Sequence, residues 1–361
     1  MKNSNLRASA RFDVFGLINL RSRSFKQLVK TVLLVCLFIC LAYTHIVLAD
    51  TFPSQHIEQP TESDEKQMIP LWKRSFDEIK AKAENGDAYA QAVLADRYRT
   101  EIGLKNHLAL SLKWSELSTK NDEPIGMFNL GILYIKGQGV KKNSELALQL
   151  FSKAFIGIVK RALNHDALAQ KYFGMMYQND IEVKKNGKKA IKWYQLAAIQ
   201  GHAEAQKNLG TIYIKGNLVK KDYNQALKWL KSAAINNDPM AQSNLGLMYL
   251  NGYGTKVDYI KAKKWLKKSA SQNYPVGQNN LGALFLKGEG VVKNYDKALS
   301  LFLLSASKEY IPAYINISIM YEMGWGVEKN CHLAIKWLSN AYKKGNDEAA
   351  KKLQRLQSNC K

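Results

Sequence analysis

The sequence predicts an all-α fold, a solenoid of about seven helix–turn–helix repeats closed by a C-terminal capping helix. Three observations predict it. The stretch AEAQKNLGTIYIKGNLVKKDYNQALKWLKSAAINND (203–238) is followed by two further copies beginning at Pro239 and Pro275, a period of 36. Gly174, Gly210, Gly246 and Gly282 keep that step, with Ser318 in the next slot, as do Tyr177, Tyr213, Tyr249, Phe285 and Tyr321, and Trp193, Trp229, Trp265, Leu301 and Trp337. Within a copy the apolar residues fall at helical spacing. A fixed period of this length marks units that bury their apolar faces only by stacking.

The N-terminus differs from the rest. Residues 1–30 carry seven Lys/Arg and one Asp, and Thr31–Ala49 (TVLLVCLFICLAYTHIVLA) is 19 residues without a charged side chain, counting His45 as neutral. Two readings are open. One is a signal peptide cleaved after Val47-Leu-Ala49, where the small Ala49 suits cleavage. The other is an uncleaved anchor, since about 20 apolar residues span a bilayer. Either way the basic flank stays cytoplasmic and the chain beyond Ala49 is exported, periplasmic or secreted if cleaved and membrane-anchored if not. Residues 50–70, polar with three prolines, read as a flexible linker. The repeat domain is expected over 71–361, opening with a helix near Leu71–Gly86.

Each repeat reads as two helices. In the first, Ala205, Leu209, Ile212 and Tyr213 form an apolar stripe. Gly210 sits inside that helix, where glycine costs about 1 kcal/mol relative to alanine, which implies close approach of a neighbouring helix. Turns such as Gly252-Tyr-Gly254, Gly288-Glu-Gly290 and Gly324-Trp-Gly326 supply residues tolerant of positive φ. The second helix starts at an Asx residue in register (Asn143, Asn186, Asp222, Asp258, Asn294, Asn330), an N-cap whose oxygen accepts a first-turn N–H. Ala226, Trp229, Leu230, Ala233 and Ala234 are its expected buried face. Backwards from Gly174 the spacing to Gly131 is 43, so the second repeat carries seven extra residues, placed around Ile156–Ala162. Asp347–Gln357 is a short amphipathic helix in the first-helix slot of an incomplete eighth repeat, the cap a solenoid needs.

The pattern A-x-x-Q-x-x-L-G-x-x-Y-x-x-G-x-G-V, followed by D/N-x-x-x-A-x-x-W-L/Y-x-x-A/S-A, covers roughly 85–345 and resembles the Sel1-like repeats, relatives of the tetratricopeptide repeats. The resemblance implies a right-handed α-solenoid that serves as a protein-binding scaffold. The chain departs from the pattern at Glu101-Ile102-Gly103, at Asp180-Ile181-Glu182, where no glycine stands, and at the lengthened second repeat. Asn129, Asn208, Asn244, Asn280 and Asn316 all lie two residues before the Gly/Ser slot, with Tyr172 interrupting. The related tetratricopeptide repeats imply that an asparagine there can face the concave groove and bind an extended peptide. An amide both donates and accepts, which suits backbone recognition; a ladder that fixes repeat packing is the other reading. Lys207 beside Asn208 is a candidate partner for an acidic group.

The net charge is +23; without residues 1–49 it is +17, from 46 basic and 29 acidic residues. Most cations are lysines spread through every repeat, such as Lys220, Lys221, Lys263, Lys264, Lys267, Lys268, Lys343 and Lys344, which reads as a solvated face. Such charge also suits an anionic membrane or envelope surface as a partner, and nucleic acid is not expected. Cys36 and Cys40 lie in the apolar segment; Cys331 and Cys360 are a candidate disulfide. Six histidines make no pair at metal spacing, and no phosphate loop follows a strand, so neither metal nor cofactor is expected. The S-x-x-K at Ser305–Lys308 lacks the accompanying motifs of penicillin-recognising enzymes, and Ser305 shares a small-residue slot with Ala233 and Ser269. The expected function is therefore non-enzymatic: protein binding on the concave face, in the cell envelope or outside the cell. Alternatives are an envelope enzyme or polymer binder, weakly penicillin-recognising or peptidoglycan-associated, and a secreted host-directed factor. The Lys/Asn-rich composition is of a bacterial kind.

Overall fold

The computed structural model describes residues 69–100 and 107–359. The apolar N-terminal segment, the linker up to residue 68, the 101–103 turn and Cys360 lie outside the described residues. Among the described residues run sixteen α-helices and no strand. A short 3-10 turn, Leu71–Lys73, leads into α1 (Phe76–Glu84). Seven pairs come next: α2 (Ala88–Thr100) with α3 (His107–Lys120), α4 (Pro124–Lys136) with α5 (Ser144–Leu163), α6 (Ala167–Asn179) with α7 (Gly187–Ile199), α8 (Ala203–Lys215) with α9 (Tyr223–Ile235), α10 (Pro239–Asn251) with α11 (Tyr259–Ser271), α12 (Pro275–Lys287) with α13 (Tyr295–Ala306), and α14 (Ile311–Met323) with α15 (Cys331–Lys343). The closing helix α16 (Asp347–Asn359) takes the next first-helix place. Its Ala349 and Leu356 are buried, so it covers the last apolar face.

The caps stand where the spacing predicts them. The side chains of Asn143, Asn186, Asp222, Asp258, Asn294 and Asn330 each accept a backbone N–H within the first turn, at 2.8–3.0 Å. The face of α9 is Ala226, Trp229, Leu230, Ala233 and Ala234, all buried. Gly210 and Gly246 sit where a Cβ would come within 2.5 Å of Leu230 Cγ and 2.6 Å of Leu266 Cγ, so the glycines let the two helices of a hairpin close. The seven extra residues of the second repeat lengthen α5 to 20 residues against 13 in α9. Ile158 and Ala162 in that extension are buried.

The glycine-free turn keeps the path of its neighbours. Asp180 (φ 61°) and Glu182 (φ 55°) adopt the left-handed geometry of Gly252 (φ 70°) and Gly254 (φ 68°). A left-handed L-residue costs roughly 1–2 kcal/mol, partly offset by the chain entropy that glycine would add. Asp180 gains a compensating bond, accepting the Lys185 N–H at 2.8 Å. Glu182→Gly is therefore expected to raise stability by up to about 1 kcal/mol, read from the midpoint of urea unfolding.

Every second helix packs on the first helix before it and on the one after it. First helices also meet one another across repeats, α2 with α4, α8 with α10 and α10 with α12, whereas no pair of second helices packs comparably. The array therefore curves with its first helices inside. The exposed lysines expected on the second helices, such as Lys263, Lys264, Lys267 and Lys268, are exposed on α11. No described helix is long and apolar enough to cross a membrane.

Candidate functional site

The inner face is built from the same slots of successive first helices. On α8 these slots hold Glu204, Lys207, Asn208, Thr211 and Lys215; on α14 they hold Pro312, Ile315, Asn316, Ile319 and Met323. The face thus changes along the array from charged to apolar.

At the charged end, four ionised side chains converge from three helices. Lys171 of α6 is 0 % exposed, and its Nζ donates to Asp96 Oδ1 (α2) at 2.9 Å and to Glu204 Oε2 (α8) at 2.8 Å. Arg99 pairs with Asp96 at 2.5 Å and lies 3.7 Å from Glu204. The Tyr172 hydroxyl donates to Asp96 Oδ1 at 2.5 Å and also contacts Asn129 Oδ1. Burial pushes both carboxyls up, but Lys171 and Arg99 outweigh it and hold Asp96 below, and Glu204 well below, the usual carboxylate range. Burial and then the Asp96 charge drive the Tyr172 hydroxyl well above its ordinary value.

This knot forms one wall of a cleft of about 760 Å³, also lined by Trp72, Val93, His202, Lys207 and Asn236. The Trp72 ring lies 5.1 Å from that of His202. The turn carrying Trp72 is fixed by Arg97, whose Nη2 donates to the carbonyls of Trp72 and Arg74 at 3.0 and 2.8 Å. Burial lowers His202 to about 4. An unfolded chain takes up this proton near pH 6.5, whereas the folded chain does so only near pH 4, so stability falls as pH drops through that window. About 2 kcal/mol is expected to be lost between pH 6.5 and 5, and His202→Gln should flatten that limb of a pH series of unfolding midpoints.

The asparagine column is engaged between repeats. Asn129 is fully buried and donates to Ala92 O at 3.0 Å, Asn280 donates to Ser243 Oγ at 3.3 Å, and Asn316 donates to Asn279 Oδ1 at 2.9 Å. Each reaches back one repeat plus one residue. Asn208 is half-buried and hydrogen-bonds Tyr194; Asn244 is half-buried on the inner face. Lys207 lies 3.6 Å from Asp238, the N-cap of α10.

A second ladder went unassigned in the sequence although its residues repeat in phase. Gln91, Gln170, Gln206 and Gln242 donate to the carbonyls of Ala83, Ala162, Ala198 and Ala234 at 2.9–3.1 Å. Gln200, Asn236 and Gln272 then donate to the Oε1 atoms of Gln170, Gln206 and Gln242 at 2.8–3.0 Å. The four buried glutamines, held in turn by these more exposed amides, thus lock one repeat to the next.

Ser305 belongs to a third such column. Its Oγ is buried and donates to Pro275 O at 2.7 Å, as Ser269 does to Pro239 O at 2.6 Å and Ser118 to Ala88 O at 2.7 Å. These hydroxyls tie the end of a second helix to the start of the first helix of the same hairpin. Among the described residues no group of three or more His, Cys, Asp or Glu side chains could hold a metal. Cys331, at the start of α15, is disulfide-bonded.

Comparison with known proteins places these features in context. A family model described as Sel1 repeat matches residues 124–155, 167–202, 203–238, 239–274, 275–310 and 311–346. A solved protective antigen of uropathogenic Escherichia coli strains, described as displaying an SLR fold, is 28% identical with a TM-score of 0.51 over 78% of this chain; 59% of the antigen's own length is spanned. A Sel1 repeat protein from Oxalobacter formigenes is 31% identical with a TM-score of 0.52, over 56% of this chain and 83% of the other.

Proposed function

The chain belongs to the Sel1 repeat family, whose members typically act as protein–protein interaction scaffolds, and from that premise we propose that it is a non-enzymatic scaffold of the cell envelope or exterior that holds a protein partner in its inner groove. The observation that carries this reading is the apolar lining of the inner face in the C-terminal half: Leu247, Ala283, Ile315 and Ile319 stay only partly buried, Ala283 and Ile315 while packing on the core, and Met323 is 54% exposed. Such a row on stacked, rigid helices is preformed, so little ordering cost falls on the receptor. The polar rungs Asn244, Asn280 and Asn316 run beside it and supply amide groups at the groove wall. Placement outside the cytoplasm is supported by the basic residues 1–30 and the apolar residues 31–49.

The test is co-purification from extracts of the source cell. Leu247→Arg with Ile319→Arg should remove bound proteins, while Lys264→Glu with Lys267→Glu on the outer α11 should leave them bound. Loss with the outer pair alone would overturn the reading. An intact mass beginning at Asp50 would support a cleaved exported form, one beginning at Met1 in the membrane fraction an anchored form, and a soluble cytoplasmic chain would refute export.

A further inference from the structure

The turns that join the two helices of each repeat stack along one edge of the array. Gly254 lies against the backbone of Tyr223, and Gly290 and Gly326 lie against the side chains of Tyr259 and Tyr295, so each turn rests on the start of the second helix before it. The rings stack there too: Tyr223 on Tyr253 at 4.8 Å and 9°, Tyr295 on Trp325 at 6.2 Å and 7°.

In the middle of this edge, apolar side chains point into solvent. Val292 is 89% exposed, Ile260 79%, Val257 51% and Tyr253 44%, an unusual concentration for two adjacent turns. The same stretch carries the exposed lysines Lys256, Lys264 and Lys293, with Lys261 already paired to Asp258. The carboxylates of this edge are already committed: Asp222 caps a helix, Asp258 caps the next and pairs with Lys261 at 2.9 Å, and Glu289 lies 3.7 Å from Lys287. The edge therefore presents aliphatic tips, amphipathic rings and uncompensated positive charge together.

The geometry points to this turn edge as a docking surface for an anionic lipid bilayer. Lysine ammonium groups meet the phosphates, tyrosines sit at headgroup depth, and Ile260 and Val292 enter the acyl boundary. A soluble polyanion would use the lysines but would leave the aliphatic tips in water.

The test places a photoreactive benzoylphenylalanine at Ile260, Val292 or Ile235 in the full-length chain, bound to vesicles of phosphatidylcholine alone or mixed with phosphatidylglycerol. Ile235 is the control: it is 65% exposed and equally apolar, but lies at the far end of a second helix, on the opposite edge. Lipid adducts at 260 and 292 should exceed those at 235 by about tenfold on the anionic vesicles, and Lys256→Glu with Lys293→Glu should remove that excess. Equal yields at all three positions, crosslinks to a second copy of the chain in place of lipid, or yields indifferent to phosphatidylglycerol would each overturn the proposal. Unchanged unfolding midpoints of the labelled chains exclude misfolding as the cause.

Discussion

Lys171→Ala is expected to cost about 3 kcal/mol of stability, far more than any surface lysine of this chain. The reason is what the substitution leaves behind. Asp96 and the nearly buried Glu204 are left with Arg99, at 2.5 and 3.7 Å, and the weaker influence of Lys207 on Glu204. Removing one partner of a buried ion pair exposes the full desolvation penalty of the other, roughly 3–5 kcal/mol, and the remaining guanidinium places this case at the lower end. Lys267→Ala, on the solvated face of α11, should change stability by less than about 0.5 kcal/mol. The triple variant Asp96→Asn, Lys171→Met, Glu204→Gln should recover most of the loss, since no charge is then stranded. The measurement is urea unfolding with the slope monitored, because a solenoid can lose cooperativity. A loss below about 0.5 kcal/mol for Lys171→Ala would mean that water reaches the knot. The acid limb gives an independent reading: the depressed carboxyls of Asp96 and Glu204 contribute stability above their ordinary range that is lost as pH falls below about 4.

The knot also shows where reading the sequence ends. The glycine, tyrosine and tryptophan columns are legible because stacking repeats the same environment every 36 residues. Caps and turns are legible because they depend on local backbone geometry. Lys171 sits in the slot that holds Lys207 in the next repeat, and nothing local separates the two; one is buried and the other half-buried. Asp96, Lys171 and Glu204 lie on a diagonal, each one helical turn offset from the last along the inner face. They meet only because the array curves, and curvature is not written in any single repeat. The asparagine column is legible as a column, but the atoms it meets are not. Its partners at Ala92, Ser243 and Asn279 are set by the offset between neighbouring first helices.

The second glycine of the turn is where a local signal and an inter-repeat contact coincide, and two substitutions separate them. Gly288→Ala should cost about 1 kcal/mol: its φ of 79° is strained for alanine, but the added Cβ would come no nearer than 3.4 Å to any atom, Lys293 Cβ, an ordinary contact. Gly254→Ala has a similar φ of 68°, and its Cβ would press on the backbone carbonyl oxygen and carbon of Tyr223 in the preceding repeat. Backbone at the start of α9 cannot rotate aside as a side chain can, so overpacking adds to the strain and the expected loss is about 3 kcal/mol. Denaturant midpoints of the two variants check this directly. If both lose the same amount, the glycine is there for its dihedral angles alone. If Gly254→Ala loses more, the turn is the hinge pin between repeats, and the docking edge built on the stacked turns inherits its rigidity from that contact.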